Sequence, residues 1–162
     1  VYMSDPTLYT NRSILSVKPV EELLEEYTVV SKRLHGEEFI VTIEEFQKLL
    51  SDPKELTSFV LIDGHLVATA QASLMWTPPK LQAYINNVVT HPDFGGRGLG
   101  RVVMDGLEHA VQAEWSEGGS RSIQLALSNS PAKGNGGFYK KLGWTSRGPD
   151  SASPTVMWVK TI

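Results

Sequence analysis

Cysteine is absent from the 162 residues. Disulfides, thiolate metal sites and a covalent cysteine nucleophile are therefore excluded, and no metal is expected. Excess charge is scarce too. The formal net charge is −3, which argues against a nucleic-acid binder relying on a basic surface. No apolar run approaches the roughly 18 residues that a membrane-crossing helix needs. Internal repeats and low-complexity stretches are missing, and Val1-Tyr2-Met3 does not open like a signal peptide. The apolar share of 41% and charged share of 20% fit a soluble globular protein. One domain over residues 1–162, in the cytoplasm, is the expectation.

Glycine, by contrast, is concentrated. Val88-Val89-Thr90 is a β-branched run that stops at His91-Pro92, and four glycines fill six positions from Gly95 to Gly100. A helical pattern starts directly afterwards. Strand, glycine-rich turn and helix N-terminus together cradle a phosphorylated ligand, because the first helical N–H groups lack partners and the helix dipole is positive there. A P-loop is excluded, since Gly98 is followed by Leu99-Gly100-Arg101 rather than Lys and Ser or Thr. A Rossmann G-x-G-x-x-G fails at its third glycine, where Arg101 stands, and only about 60 residues follow for further βαβ units. The pyrophosphate arm of coenzyme A is the remaining use. Its plain rival is a flexible surface loop, which the well-formed strand and helix on either side disfavour.

The rest of the chain reads as an alternation of elements. Ser13 to Val17 suggests a short first strand. Leu23, Leu24, Tyr27, Val30 and Leu34 recur at helical spacing among acidic residues, and His35-Gly36 ends that helix. Thr42 with Glu45 resembles a capping box opening a helix through Leu50, which Asp52-Pro53 stops. Ser58 to Ile62 is a strand, Asp63-Gly64 a two-residue hairpin turn, and Leu66 to Leu74 alternates. That alternation puts Leu66, Ala68, Ala70, Ala72 and Leu74 on one face, with Val67, Thr69, Gln71 and Ser73 opposite. Gln82 to Thr90 makes a fourth strand and Ile123 to Leu127 a fifth. Between them lies a helix with Leu99, Val103, Leu107, Ala110 and Val111 on one stripe. A short helix around residues 137–142 and two strands, 144–147 and 155–161, complete the order. The fold class is α/β (α+β mixed sheet): a mostly antiparallel sheet with helices on both faces, the crossover helix making the fourth and fifth strands parallel.

Two blocks carry a family resemblance. Val88 through Gly100, and Asn135-Gly136-Gly137-Phe138-Tyr139-Lys140-Lys141-Leu142-Gly143-Trp144 about 40 residues later, are similar to the acetyl-CoA motif and the later Asn…Phe-Tyr…Gly-aromatic signature of the GNAT N-acetyltransferase superfamily. The resemblance implies a GNAT-like fold, with acetyl-CoA as co-substrate. It implies that Val88, Val89 and Thr90 lie along the pantetheine arm and that the Val89 N–H stabilises the thioester oxyanion. Gly95, Gly96, Arg97, Gly98, Leu99, Gly100 and Arg101 would wrap the pyrophosphate, and Asn135 would contact the pantetheine side. Tyr139 would protonate the departing thiolate. Its plain alternative is a packed aromatic. The family usually has Gln or Arg where this chain has Gly95; Arg97 or Arg101 can compensate.

The general base is not evident. Relatives often carry a carboxylate on the fourth strand, where this chain has Asn86 and Asn87, whose amides accept no proton at neutral pH. Asn87 reads as a hydrogen-bonding group for the acceptor or as a satisfied strand asparagine. Glu37, Glu38 and His65 are candidate bases or plain surface residues, His91 a structural or cofactor contact, and His109 a solvated helix residue. An amine arriving deprotonated, or a water relay, would also serve. Trp76, before Thr77-Pro78-Pro79, would wall the acceptor pocket or pack in the core, and Ser128 to Gly134 would line the same mouth or form a turn. The acceptor is expected to be a small primary amine, such as an amino sugar; Phe138-Tyr139-Lys140-Lys141 is similar to a run in glucosamine-6-phosphate N-acetyltransferases. A lysine or N-terminal peptide acceptor is the main alternative, and a CoA-binding module without turnover is the rival from another class. Val156-Met157-Trp158-Val159 is apolar enough for a homodimer contact.

Overall fold

The two helices before the central strands are set by local signals. In the computed structural model, which describes residues 5–77, 80–116, 122–129, 136–149 and 156–162, α1 spans Val20–His35 and α2 spans Ile43–Ser51. Glu21 and Glu22 occupy the first turn of α1 and Lys32, Arg33 and His35 its last, matching the dipole at both ends. Thr42 caps α2 in the expected box: its hydroxyl accepts from the Glu45 N–H, and the Glu45 carboxylate accepts from the Thr42 N–H.

Strands β1 (Thr7–Thr10), β2 (Glu55–Ile62), β3 (His65–Thr77), β4 (Lys80–Thr90), β5 (Ile123–Asn129), β6 (Thr145–Pro149) and β7 (Val156–Thr161) form one sheet in the order β1-β2-β3-β4-β5-β7-β6. Only the β4–β5 pair is parallel. Helix α3 (Leu99–Trp115) makes the crossover between them, as the spacing predicts, and α4 (Gly136–Lys141) connects β5 to β6. The turn at Asp63-Gly64 has φ of 52° and 79° at its two central residues, the signature of the right-twisted hairpin turn.

Two cores, one on each face, hold the sheet between helices. Leu23, Tyr27, Phe46 and Leu50 of α1 and α2 pack with Phe59, Leu61, Leu66 and Val89. On the other face Leu99, Val103, Leu107, Ala110 and Val111 of α3 meet Val60, Ile62, Ala68, Ala70 and Ile85. Burying each such aliphatic side chain is worth about 1.5–3 kcal/mol, so this double layer is the main source of stability.

Two expectations are corrected. The first strand is Thr7–Thr10, paired with Ser58 to Leu61; the segment read as a strand, Ser13 to Val17, instead contains a 3-10 turn at Ile14–Ser16. The Ser13 carbonyl accepts from the Ser16 N–H there, a local bond that competes with any sheet ladder. The unbroken alternation of Leu66 to Leu74 also fails. An irregularity between Val60 and Leu61 shifts the register, so Leu66 faces the α1–α2 side while Val67 and Ala68 both join the α3 side. Glu26 accepts the Leu66 N–H at this point at 2.8 Å. The segment Val156 to Val159 lies in β7, between β5 and β6 with both edges paired, and its Trp158 is buried in the core.

Candidate active site

Strands β4 and β5 pair only from Leu81 with Ile123 to Tyr84 with Ala126. Beyond that point β5 continues beside β7, and β4 continues beside β3 alone among the described residues. The sheet therefore splits, and the half of β4 from Ile85 onward turns one backbone edge towards the gap. Pairing with β3 is itself irregular there: Asn86 faces Gln71 and Val89 faces Thr69, and Asn87 has φ of 52°, rare for a residue with a side chain.

A cleft of about 720 Å³ opens at the split. It collects Val88, Val89 and Thr90 from β4, the glycine turn with the start of α3, and Phe138, Tyr139 and Lys141 from α4. Ten of the residues singled out in the sequence meet here: Val88, Val89, Thr90, Gly95, Gly96, Gly98, Leu99, Gly100, Arg101 and Tyr139.

The glycine turn is a strand exit followed by an uncapped helix. His91 Nδ1 accepts from the Asp93 N–H at 3.1 Å and shapes a 3-10 turn over Pro92–Phe94, so His91 has a structural duty at this corner. Gly96 and Gly98 have φ of 75° and 74°, and a Cβ on either would meet nothing within 4 Å. Their requirement is conformational, since only glycine adopts this backbone without strain. Gly98 is the N-cap of α3 and supplies no side chain, and the first helical bond is Val102 N–H to the Gly98 carbonyl. The N–H groups of Leu99, Gly100 and Arg101 are thus left without helical acceptors, and the first turn holds no acidic residue. Arg33 and Lys141 add positive charge to the lining. Arg97 instead stacks over Phe94, 5.2 Å from the ring centre. These features fit a diphosphate: open space over left-handed glycines, free amides and cations around them.

Tyr139 sits at the other end. It is buried among Phe138, Trp144 and Trp158, with ring centres 5.1–6.1 Å away. Burial raises its phenol pKa, keeping it protonated through the neutral range. Phe138 touches the helix start, since a Cβ on Gly100 would lie 3.1 Å from its ring.

On the α1 side, Asn87 is tied down rather than idle. Its amide nitrogen donates to Gln71 Oε1, and its Oδ1 lies 2.7 Å from His35 Nε2. Tyr27 donates to the same Gln71 oxygen at 3.1 Å. Sequence reasoning read His35 only as the end of a helix; nothing in its local pattern could disclose a contact 52 positions away. Glu38 is exposed in the loop after α1, His109 is exposed on α3, and His65 is exposed near Glu26 at 3.7 Å. None of these reaches the cleft lining. Trp76 is in register opposite Leu81 at the end of β3, but its side chain lies outside the described residues, as does Asn135 altogether. Ser128, on β5, shares a 2.7 Å hydrogen bond with the Tyr84 hydroxyl and does not reach the cleft lining.

Comparison with known proteins agrees with this layout. The model of the acetyltransferase (GNAT) family matches residues 18–144. No curated protein matches the chain. Among solved structures, glucosamine-6-phosphate N-acetyltransferase from Arabidopsis thaliana superposes with a TM-score of 0.70 at 16% identity, over 93% of this chain and 98% of that one. PaiA N-acetyltransferase from Thermoplasma acidophilum, in complex with coenzyme A, gives 0.67 at 13% identity over 98% and 100%. A third, from Arabidopsis thaliana in complex with the bisubstrate analogue CoA-Ac-MVNAL, gives 0.64 at 11% identity over 96% and 97%. At these identities the likeness is one of fold.

Proposed function

This chain belongs to the acetyltransferase (GNAT) family, and we propose that it moves the acetyl group of acetyl-CoA to the primary amine of a small molecule by direct attack. The observation that carries the reading is the single cleft that joins the glycine turn, the unpaired half of β4 and the Tyr139 phenol.

The roles follow from position. The amides of Leu99, Gly100 and Arg101 hold the diphosphate, with the left-handed turns at Gly96 and Gly98 bringing the backbone close. The outer edge of β4 at Val88 to Thr90, where Arg33 holds the Thr90 carbonyl at 2.6 Å, pairs with the pantetheine amides as a strand would. An outward-facing N–H of this part of β4 donates to the thioester oxygen as charge gathers there during attack; the His91 N–H to Val67 carbonyl bond fixes the alternation so that the Val89 N–H expected in that role points to Thr69 of β3 instead. When the carbon–sulfur bond breaks, Tyr139 gives its proton to the thiolate. Asn135 and Arg97 are assigned to the cofactor on sequence alone.

The acceptor is read as a small polar amine. Leu81, Ala83 and Ile85 of β4 point into the α3-side core, so Gln82 and Tyr84 point to the other face. There Gln82 meets Gln124 at 2.9 Å and Tyr84 meets Ser128 at 2.7 Å, a run of amides and hydroxyls across the β4–β5 pair. Trp76 and Glu38 remain candidates for its rim. Thiol release from acetyl-CoA across a panel of amines, beside thermal shift by acetyl-CoA, tests the proposal. Release with amino sugars or other small amines is the expected result; release with peptides only would move the acceptor class. Stabilisation without release from any amine would leave a CoA-binding module, and no stabilisation would end the cofactor assignment.

A further inference from the structure

The glycine turn brings amides to the cleft but little side-chain charge of its own. Arg97 stacks over Phe94 and does not line the cleft. Arg101 does line it, but its side chain is 68% exposed and lies 3.7 Å from the Asp105 carboxylate one turn along α3. A diphosphate diester is a dianion at neutral pH and asks for more. We propose that Arg33, in the last turn of α1, is the side chain that pairs with the diphosphate and makes the cleft select CoA thioesters over phosphate-free ones; this rests on the acetyl-CoA reading above.

The argument starts from where Arg33 is anchored. Arg33 and Leu34 carry the C-terminal end of α1 into the cleft lining. Arg33 Nη1 donates to the Thr90 carbonyl at 2.6 Å, across 57 positions of chain. The direction of that carbonyl is set by the neighbouring N–H. In a planar trans peptide the Thr90 C=O and the His91 N–H point opposite ways, and the His91 N–H is bonded to the Val67 carbonyl of β3 at 2.7 Å. The Thr90 oxygen therefore points away from β3, off the outer edge of β4, where β5 has already parted from it. The guanidinium is thus held at the last residue of the strand, just before the turn that leads into the glycines.

This anchoring suits phosphate. A guanidinium holds five N–H donors in a planar fork, and Thr90 takes only one. No carboxylate pairs with Arg33 among the described residues, unlike Arg12, Lys18, Arg101 and Lys160. A carbonyl orients the fork without neutralising it, and the remaining donors match the spacing of two phosphate oxygens. The end of α1 that meets the cleft is also its negative pole, which would repel a dianion, and a cation in that turn reverses the sign locally. Lys141, on α4, adds charge to the lining but has no planar fork. With the Thr90 carbonyl taken, the Val88 carbonyl and the Thr90 N–H are the outward groups left at this end for the pantetheine arm. Arm and diphosphate therefore depend on different groups, and Arg33 belongs to the second.

The test uses the whole chain and three probes: CoA, dephospho-CoA, which lacks the 3′-phosphate but keeps the diphosphate, and pantetheine, which has neither. Arg33→Met keeps the length and loses the charge; Arg33→Lys keeps the charge and loses the fork. By calorimetric titration, Arg33→Met should weaken CoA and dephospho-CoA by the same factor, about 10- to 150-fold, the range for one hydrogen bond to a charged group. Pantetheine, followed by competition, should bind both proteins alike, and Arg33→Lys should fall between parent and Arg33→Met. In thiol release the loss should appear in KM for acetyl-CoA with kcat held, because the diphosphate is gripped equally before and during attack. Arg33 is exposed, so raising salt should narrow the gap between parent and Arg33→Met. Equal losses for CoA and pantetheine would mean that Arg33 acts only by holding Thr90, and would overturn the proposal. So would parental CoA affinity in Arg33→Met. A loss seen with CoA but absent with dephospho-CoA would move the contact to the 3′-phosphate and overturn the diphosphate assignment. Should Arg33→Met fail to fold, the same comparison of probes is read from Arg33→Lys. A parent that binds none of the CoA compounds overturns the acetyl-CoA reading and this one with it.

Discussion

Gly95 and Gly98 look alike in the sequence, and alanine at each should give opposite results. Gly95 has φ of −63° and ψ of 154°, and a Cβ there would meet only the Pro92 carbonyl oxygen, at 3.7 Å. Alanine adopts that backbone freely and restricts the unfolded chain, a gain of about 0.4–1 kcal/mol. Gly98 has φ of 74° and open space around it, so Gly98→Ala meets no atom and is opposed by backbone strain alone. The left-handed conformation disfavours an L-residue by about 1–2 kcal/mol. For a chain of this size each kcal/mol moves Tm by about 2–4 °C, so Gly98→Ala should melt about 2–8 °C lower while Gly95→Ala melts at or slightly above the parent. Binding should separate further. Relief of the strain swings residue 98 towards negative φ and turns the amides of residues 99–101 away from their common focus. Loss of one hydrogen bond to a charged phosphate, about 1.5–3 kcal/mol, weakens CoA about 10- to 150-fold. Calorimetric titration with CoA and differential scanning fluorimetry read both quantities. Equal behaviour of the two variants, or full CoA affinity in Gly98→Ala, would refute the reasoning.

Other expectations can be checked on the same material. Tyr139→Phe keeps the ring contacts with Trp144 and Trp158, so it should bind acetyl-CoA normally yet turn over about 10²- to 10⁴-fold more slowly, measured by thiol release. Thr42→Ala removes the α2 cap and should lower stability by about 0.5–2 kcal/mol in urea unfolding, with no change in slope. Burial raises the pKa of Glu108 from 4.5 despite its 3.0 Å contact with Lys160. A raised folded-state pKa gives stability that is complete below 4.5 and lost as pH rises through the folded value. Glu108→Gln should therefore gain on the parent in Tm as pH climbs through that window; a change in the other direction would mean that the Lys160 pair outweighs burial.

Much of this architecture is readable because it is written in short-range chemistry. The Thr42–Glu45 box, the Asp63-Gly64 turn and the stripe from Leu99 to Val111 each act within a few residues, and each stands where the pattern puts it. What escapes the sequence is decided at a distance. Thr7–Thr10 is a strand because β2 lies beside it, and four residues at an edge carry too little pattern to be told from the equally short run 13–17. The shift at Val67 arises because Ala68 pairs with Val60 and Leu66 with Leu61, and because a carboxylate from α1 takes the Leu66 N–H, so strict alternation misassigns Leu66. The glycine turn and Tyr139 are legible as residue types, but their convergence on one cleft is not. Asn87 was legible as a polar oddity in a strand; its partners, 16 and 52 positions away, were not.

The one-sided bonding of β4 has a consequence for how the protein breathes. From Leu81 to Tyr84 the strand is paired on both flanks; from Ile85 to Thr90 β3 is its one strand neighbour among the described residues, with Arg33 and His35 of α1 touching it at Thr90 and Asn87. Amide exchange should accordingly be graded along a single strand, slow in its first half and faster in its second. A bound thioester arm that completes the ladder would erase the gradient, so occupancy of the cleft should be visible as slowed exchange in a strand whose fold is already formed.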